Sequence, residues 1–547
     1  MSRLHSYSEQ DVNFYYIDEN AKKAENIDNF QKLITKLHTP KQDRGHGELY
    51  LVRGMLVYIA HNQSFDNSRA RYNTPLFYVQ QLVERRISAA EVFKIYCGYA
   101  GIECELVTGR AKAIRYRAGD GDSDYLKNNT WLAFKADDKW HLVHPQWAIQ
   151  AFVGYEHSGE IEIEKDGRER LKVRTGRQGT AKYMVNDFWF CTAPDIFVTR
   201  CFPDEIKWQD PQNNGKVLIK NVNDFLSLPD LRQGFYDMKL ELLNEEKSCI
   251  LHSKKGKCFV SIMCEKDGAK NLDFSYELAM EGTSSNGLEV KDTKQLVLYQ
   301  IGGGKNRNII QFEIRLPVVG TFWFRLAVGL MQEPDLKRNC CEFKIICKDA
   351  CENCKRFPTY EGISAYGCGY EAEEAGLLHS SLTDAKINMP PNKGNTKRTI
   401  AKFKVDDDPS RNMTYGARML MSGSDEVDDD QISIFLEGTT EVVRDQQTGT
   451  LTVNASVPND GEYTVFITAK DEKDKKAKKA KPVAAYLVTT EVDEDEKRNN
   501  AIIKQREKEV RCKLHKQSKT ETRNRLLEIL QTTQSEVEEL KVSGRKK

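Results

Sequence analysis

Two stretches of the 547-residue chain repeat one pattern. Phe312-Glu-Ile314-Arg-Leu316 alternates apolar and polar residues, passes through Pro317-Val-Val-Gly320 and returns at Phe322. Leu451-Thr-Val453-Asn-Ala455-Ser-Val457 does the same through Pro458-Asn-Asp-Gly461 and returns at Tyr463. Each reads as a half-buried strand, a tight turn and an aromatic residue opening the return strand. A repeat of this kind predicts a duplicated β-sandwich; the competing reading is two hairpins alike by chance. Around the first copy, strands are predicted at 238–243, 258–264, 274–280, 296–301, 309–316, 321–328 and 343–347. Seven short strands separated by turn residues fit one sandwich over 216–348. Around the second copy, 400–405, 432–436, 450–457, 463–468 and 484–489 read as strands of another over 376–490. A cysteine-containing linker, 349–375, joins the two.

The first 215 residues have a different texture. Residues 1–40 are polar and mixed, and read as an N-terminal arm or a first helix. Leu49, Leu51, Val52, Met55, Leu56, Tyr58 and Ile59 recur at three- and four-residue spacing, which predicts an amphipathic helix over 48–62. A second helix is predicted over 88–100, closed by Gly101 just past its end. Strands follow at 103–108, with alternation continuing from Arg110 to Arg117, then at 130–134 and 140–143 across an Asp137-Asp138-Lys139 turn. Residues 41–215 thus read as helices followed by a small antiparallel sheet, and the whole chain as α+β. At the other end, 491–547 is a charged helical tail rich in Glu, Lys, Arg, Gln and Leu. Ile503, Val510 and Leu514 form one apolar seam and Leu526, Leu530, Val537 and Leu540 another, out of phase with it. A coiled coil giving self-association and a helix docked on its own protein both fit.

Charge and composition exclude several classes. Lys plus Arg number 82 against 81 Asp plus Glu, a net charge of +1, which leaves no basic surplus for nucleic acid. No stretch approaches the ~18 apolar residues that span a bilayer, and the opening decapeptide lacks the apolar run of a secretory leader. Fourteen cysteines in a chain of this length are too few for a disulfide scaffold, so a cytoplasmic protein with reduced thiols is expected.

Residues 41–215 resemble the transglutaminase-like domain in the variant found in kyphoscoliosis peptidase and hillarin. The resemblance rests on Arg53 and Tyr58-Ile-Ala-His-Asn62-Gln-Ser-Phe-Asp66, on Gly101-Ile102-Glu-Cys104, and on Val107-Thr-Gly109-Arg-Ala-Lys112. It continues through Asn128-Asn129-Thr130-Trp131, Trp140-His-Leu-Val-His144-Pro-Gln-Trp147, Phe188-Trp-Phe190 and Phe202-Pro203-Asp204-Glu-Ile-Lys207-Trp208-Gln209. Downstream, Phe357-Pro-Thr-Tyr360 and Gly367-Cys-Gly-Tyr-Glu371-Ala-Glu-Glu-Ala375-Gly376-Leu377 are similar to the join before the last β domain of those proteins. The order and spacing of these motifs carry the likeness, since each alone is weak.

The resemblance implies a papain/transglutaminase-like core and, in active members, a Cys-His-Asp triad: a thiolate at a helix N-terminus, an imidazole that takes its proton and a carboxylate that orients the ring. Counting back from Gly101-Ile102 places the cysteine position at Arg86. The histidine position, just before the Thr-Trp pair, is Asn129, and the aspartate position, three residues before Trp147, is His144. None of these side chains supplies the chemistry its position needs, whereas Trp131, Trp140, Trp147 and Gly101, which serve packing and turns, are present. Cys97-Gly98-Tyr99-Ala100 imitates an active-site run, but Cys97 falls in the last turn of its helix, where the dipole opposes thiolate; it reads as a small buried hydrophobe.

Among Cys340, Cys341, Cys347, Cys351, Cys354 and Cys368, the set Cys347, Cys351, Cys354 and Cys368 is a weak zinc candidate: it has one two-residue-spaced pair where a zinc ribbon has two. Gly302-Gly-Gly304 lacks phosphate-loop spacing and reads as a hairpin loop. Lys470 to Lys481 reads as a long solvated hairpin loop. The expectation is therefore a pseudoenzyme without catalytic residues, cofactor or firm metal site. It would be a transglutaminase-like scaffold for cytoskeletal or cortical proteins, of actin-crosslinking or septin type, without a membrane span. Two alternatives stand beside it: a thiol peptidase or protein-glutamine acyltransferase using a displaced cysteine, and an anion pocket held by Arg86 and His144.

Overall fold

The computed structural model describes residues 4–7, 12–25, 27–38, 47–63, 69–155, 162–163, 169–170, 178–265, 268–280, 293–303, 307–333, 336–358, 363–378, 380–391, 397–406, 412–422, 435–473, 479–491, 493–513, 515–516 and 519. Five helices open the chain: α1 (Tyr15–Lys22), α2 (Phe30–Leu37), α3 (Gly47–His61), α4 (Pro75–Val83) and α5 (Ala89–Ala100). Asn29 caps α2 by accepting from the Lys32 N–H, and Thr74 with Pro75 opens α4. Both predicted helices form, but α3 is buried on every side from Leu49 to Ala60 rather than along one face. The reason lies at the N-terminus. Within residues 1–40, expected as an arm or a first helix, the chain forms not an arm but two helices, α1 and α2, which lay Ile17, Ala21, Leu33 and Leu37 over the outer face of α3.

The sheet that follows has the antiparallel order β3 (Lys139–Val143), β2 (Asn129–Ala136), β1 (Cys104–Ala111) and β4 (Cys201–Pro203). Asp137 and Asp138 both take positive φ, 51° and 61°, the geometry of a two-residue hairpin turn. One face of the sheet turns Leu132, Phe134, Ala136 and Val143 toward α5 and its neighbours. The other carries Val107, Trp131, Ala133 and Leu142 against Phe197 and Cys201. A short helix, α6 (Pro145–Ile149), leaves β3. The strand expected to run on to Arg117 stops at Ala111. There Lys112 turns inward, its Nζ donating to the Phe225 carbonyl at 2.7 Å, and carries the chain onto the segment around Ile219, Phe225 and Leu226.

Residues 241–347 build two facing sheets from eight strands: β5 (Glu241–Leu242), β6 (Ile250–His252), β7 (Lys257–Met263), β8 (Leu272–Met280), β9 (Val297–Ile301), β10 (Ile309–Arg315), β11 (Gly320–Leu330) and β12 (Arg338–Cys347). Residues 377–489 build two more from β13 (Leu377–Leu378), β14 (Lys386–Asn388), β15 (Arg398–Val405), β16 (Met413–Met421), β17 (Thr440–Asp445), β18 (Thr450–Ala455), β19 (Glu462–Asp471) and β20 (Lys481–Thr489). The sheet orders are β5-β7-β10-β9 with β6-β12-β11-β8, and β13-β15-β18-β17 with β14-β20-β19-β16, and a two-residue strand ahead of the first module, Asp230–Leu231, adds to β12 off this path. Counted within each module, both read first-third-sixth-fifth and second-eighth-seventh-fourth, and in both the second strand pairs parallel to the eighth. Gly320 and Gly461 share φ 157°, and each ladder that follows slips register at the equivalent place, Leu326/Ala327 and Ile467/Thr468. Two chance hairpins do not share eight-strand connectivity, so the repeat is real.

Several strands differ from expectation. Residues expected as one strand at 238–243 form only β5, after a short helix at Gln233–Asp237. Of the strand expected at 432–436, residues 432–434 lie outside the described residues, and 435–436 are not strand. The edge strands β6, β13 and β14 and the longer β16 and β17 were not anticipated. Gly302 and Gly303 do lie in the loop between β9 and β10, and the Lys470–Lys481 run joins β19 to β20, with 474–478 outside the described residues. The C-terminal helix runs from 494 through 513, with 515, 516 and 519 helical as well, and is opened by the Asp493 carboxylate, which accepts from the Asp495 and Glu496 N–H groups. Its first seam docks on its own protein, Ile503 and Val510 packing on Leu243, Met263 and Ile309. Leu514 and the second seam lie outside the described residues. Among the described residues, no helix is long and apolar enough to cross a membrane.

Candidate functional site

A thiolate at the start of α5 would need unpaired backbone N–H groups around it. That end is already closed. The Ser88 hydroxyl accepts from the Glu91 N–H and the Glu91 carboxylate from the Ser88 N–H at 2.7 Å, a complete capping box that also sets a negative charge against the dipole. Arg86 lies before this cap, exposed, with its Nε 3.0 Å from the Glu84 carboxylate. Asn129 starts β2, and its amide donates to the Leu126 carbonyl at 2.9 Å and the Lys127 carbonyl at 3.4 Å, both in its own loop.

His144 follows β3 directly as the N-cap of α6, its Nδ1 accepting from the Trp147 N–H at 3.4 Å. Its ring stacks on Trp147 at 3.8 Å and meets Trp189 edge-on, with Trp131 beyond. Burial pushes its pKa down to about 3, so the imidazole is neutral. With Nδ1 accepting, the proton sits on Nε2, which is buried without a hydrogen-bond partner, as is Nε1 of Trp131. Among the described hydrogen bonds, ion pairs and ring contacts, none joins any two of Arg86, Asn129 and His144. The anion pocket expected from Arg86 with His144 therefore has one exposed cation already paired and one buried neutral ring.

The thiols nearby are insulated. Cys97 lies in the last turn of α5, wholly buried, and its hydrogen bond with Cys104 and then burial raise its pKa well above the ordinary thiol value. Burial does the same to Cys191 and Cys201. Two features went unread in the sequence. Arg53, on buried α3, grips Asp18 through Nε and Nη2 at 2.8 and 2.6 Å and reaches Asp187 through Nη1, between the rings of Phe14 and Phe190. His141, buried in β3, has its Nδ1 2.7 Å from the Ser6 hydroxyl. An arginine within an apolar run signals the first; nothing local signals the second, because its partner comes from the far N-terminus.

The cysteine set of the join divides. Cys351 donates to the Glu352 carbonyl at 3.8 Å, Cys347 to the Asp349 carbonyl at 3.3 Å and Cys368 to the Leu377 carbonyl at 3.8 Å, each within its own stretch of chain. Among the described residues no three His, Cys, Asp or Glu side chains converge as a metal site needs.

Comparison with known proteins places this architecture. Residues 222–358 match the KY-like, immunoglobulin-like domain family, which covers the first sandwich and its approach. The chain is similar to the Lim and transglutaminase domain protein ltd-1 of Caenorhabditis elegans, 25% identical over 59% of this chain and 42% of that protein. It is similar to hillarin of Drosophila melanogaster, 25% identical over 51% of this chain and 33% of that protein. It is also similar to kyphoscoliosis peptidase of Mus musculus, 24% identical over 54% of this chain and 45% of that protein. The resemblance read from the motifs is thus borne out, and the matched stretches span less than half the length of each of these relatives.

Proposed function

We propose that this chain is a non-catalytic scaffold in which a transglutaminase-like domain, without its triad, is carried with two β-sandwiches to bind protein partners of the cytoskeleton. One observation carries the reading: the imidazole at the carboxylate position, His144, is sealed neutral among tryptophans and cannot orient or charge a partner base. Arg86 paired with Glu84 and Asn129 bonded to its own loop support it. The names of the relatives speak for a peptidase or transglutaminase ancestry; removing any member of a triad costs orders of magnitude in rate, and here all three positions are changed.

The test has two arms. Full-length protein is offered a glutamine-donor protein with a fluorescent primary amine, and separately an unfolded protein substrate; neither is turned over. Turnover abolished by thiol alkylation would replace the scaffold with the displaced-cysteine enzyme. In the second arm the chain is sedimented with actin filaments and with septin filaments, and it pellets with at least one. A chain left in the supernatant by both removes the cytoskeletal reading.

A further inference from the structure

Most cysteines of the chain are buried, and at Cys258 and Cys264 burial raises the thiol out of reach of ordinary chemistry. Cys351 and Cys354 are different in place and surroundings. They bracket the Glu352-Asn353 turn that follows β12, with Asn353 in the left-handed region at φ 48°. Both are half-buried and unbridged, and as the first and last residues of that turn they stand within the Cα separation a disulfide spans, with the Cys351 Sγ 3.8 Å from the Glu352 carbonyl. Cys351 is anchored, its N–H donating to the Leu316 carbonyl at 2.8 Å. The cations of Arg315 and Lys257 act on both sulfurs. The neighbouring Cys354 side chain and, against burial, these two cations bring Cys351 down to about 6, while Cys354 is driven up. An accessible thiolate beside a resolving thiol is the arrangement thiol–disulfide exchange requires.

We propose that Cys351 and Cys354 form a redox-active dithiol that exchanges with small disulfides of the oxidised-glutathione class and closes to an intramolecular disulfide. The Cys351 thiolate attacks one sulfur of the small disulfide, forming a mixed disulfide and expelling one small thiolate. Cys354 then gives its proton to solvent and attacks the Cys351 sulfur, and a second small thiolate leaves. The protein dithiol is oxidised by two electrons, and one small disulfide is reduced to two thiols. The switch has a structural reader. Lys355, next to Cys354, offers its carbonyl to Arg315 Nη1 at 3.2 Å, and the same guanidinium reaches the Glu462 carboxylate of the second sandwich at 2.9 and 2.7 Å. Closing the turn acts on the ion pair that joins the two sandwiches.

Full-length protein is incubated with oxidised glutathione, its remaining thiols are blocked with N-ethylmaleimide, and the tryptic peptide Asp349–Lys355 is weighed. The expected peptide carries no label and is two hydrogens lighter, and dithiothreitol before blocking restores both labels. Cys354→Ser stops at a glutathionyl adduct on Cys351, and Cys351→Ser slows modification of Cys354 about tenfold or more, because the attacking thiolate is gone. Three results overturn the proposal: both thiols still labelled while exposed Cys512 takes up glutathione, a wild-type adduct on Cys351 that never closes, or protection that a chelator removes and a reductant does not.

Discussion

His144 is held by its rings more than by its hydrogen bond, and that has a measurable cost in acid. Its ordinary pKa of 6.5 applies in the unfolded chain, and burial lowers it to about 3 in the folded one. Below pH 6.5 the unfolded state therefore binds the proton and the folded state does not. Stability from this group is complete above pH 6.5 and falls by about 1.4 kcal/mol per pH unit as pH drops toward 3. His144→Asn keeps an oxygen to cap α6 and removes the titration. Between pH 6.5 and 5 the wild type should lose about 2 kcal/mol more than this variant in urea unfolding followed by tryptophan fluorescence. Equal losses would mean the ring is not sealed. Arg53 belongs to the same scale. Burial works against its charge, and Asp18 and Asp187 overcome it, raising its pKa. Asp187 is largely exposed, so the Asp18 pair carries the weight. Arg53→Met strands Asp18 and should cost about 3 kcal/mol by the same measurement.

Elements were legible where one local rule governs them. The apolar spacing of 88–100 and the closing Gly101 point to one helix, and α5 is that helix, with Gly101 left-handed at its end. The Asp137-Asp138 turn sets the β2–β3 hairpin in the same way. Of the strands that escaped, β6, β13 and β14 are two or three residues long and held by their neighbours' ladders rather than by any pattern of their own. At the candidate site, counting from motifs led to the expectation of Arg86, Asn129 and His144. The partners of Arg86 and Asn129, Glu84 and Leu126, are near neighbours in the chain, but Trp189, which packs on His144, enters from a separate segment and could not be read. Gly109 carries the prediction proper to this scale. A Cβ there would stand 2.2 Å from the Phe202 carbonyl oxygen, 2.7 Å from the Trp131 ring and 2.8 Å from the Pro203 Cα. Backbone on one side and a buried indole on the other cannot yield, so Gly109→Ala should part β4 from β1 and cost about 3 kcal/mol. Gly98, inside α5 with open space around it, is the control. Gly98→Ala should stabilise by about 0.5–1 kcal/mol through helix propensity alone, and a like-signed result for both would refute the steric account.

Over the whole molecule, the alternation of β10 misleads for a reason that reveals how the modules are joined. Gln311, Glu313 and Arg315 occupy the face a lone sandwich would give to water, yet every residue of the strand is buried. The second sandwich and the C-terminal helix cover that face and bring matching charges. Lys386 Nζ lies 3.1 Å from Glu313 and 2.5 Å from Glu496 of the helix, Arg315 pairs with both Glu313 and Glu462, and Lys257 reaches Asp493. Burial alone would raise the Glu313 carboxyl, but Arg315 and Lys386 overcome it and hold it low; at Glu496 burial prevails and the pKa rises. Lys386 is thus the one cation shared by first sandwich, second sandwich and helix among the described ion pairs. Lys386→Met leaves two buried carboxylates short of a partner, at a cost of about 3 kcal/mol. Because the helix rests on this contact and on Ile503 and Val510, it should open first, and amide protection over 494–513 should fall about a hundredfold in hydrogen exchange. Adding Glu496→Gln removes one of the stranded charges and should restore part of that protection. Unchanged exchange in the single variant would show that apolar packing alone seats the helix and that the charges merely accompany it.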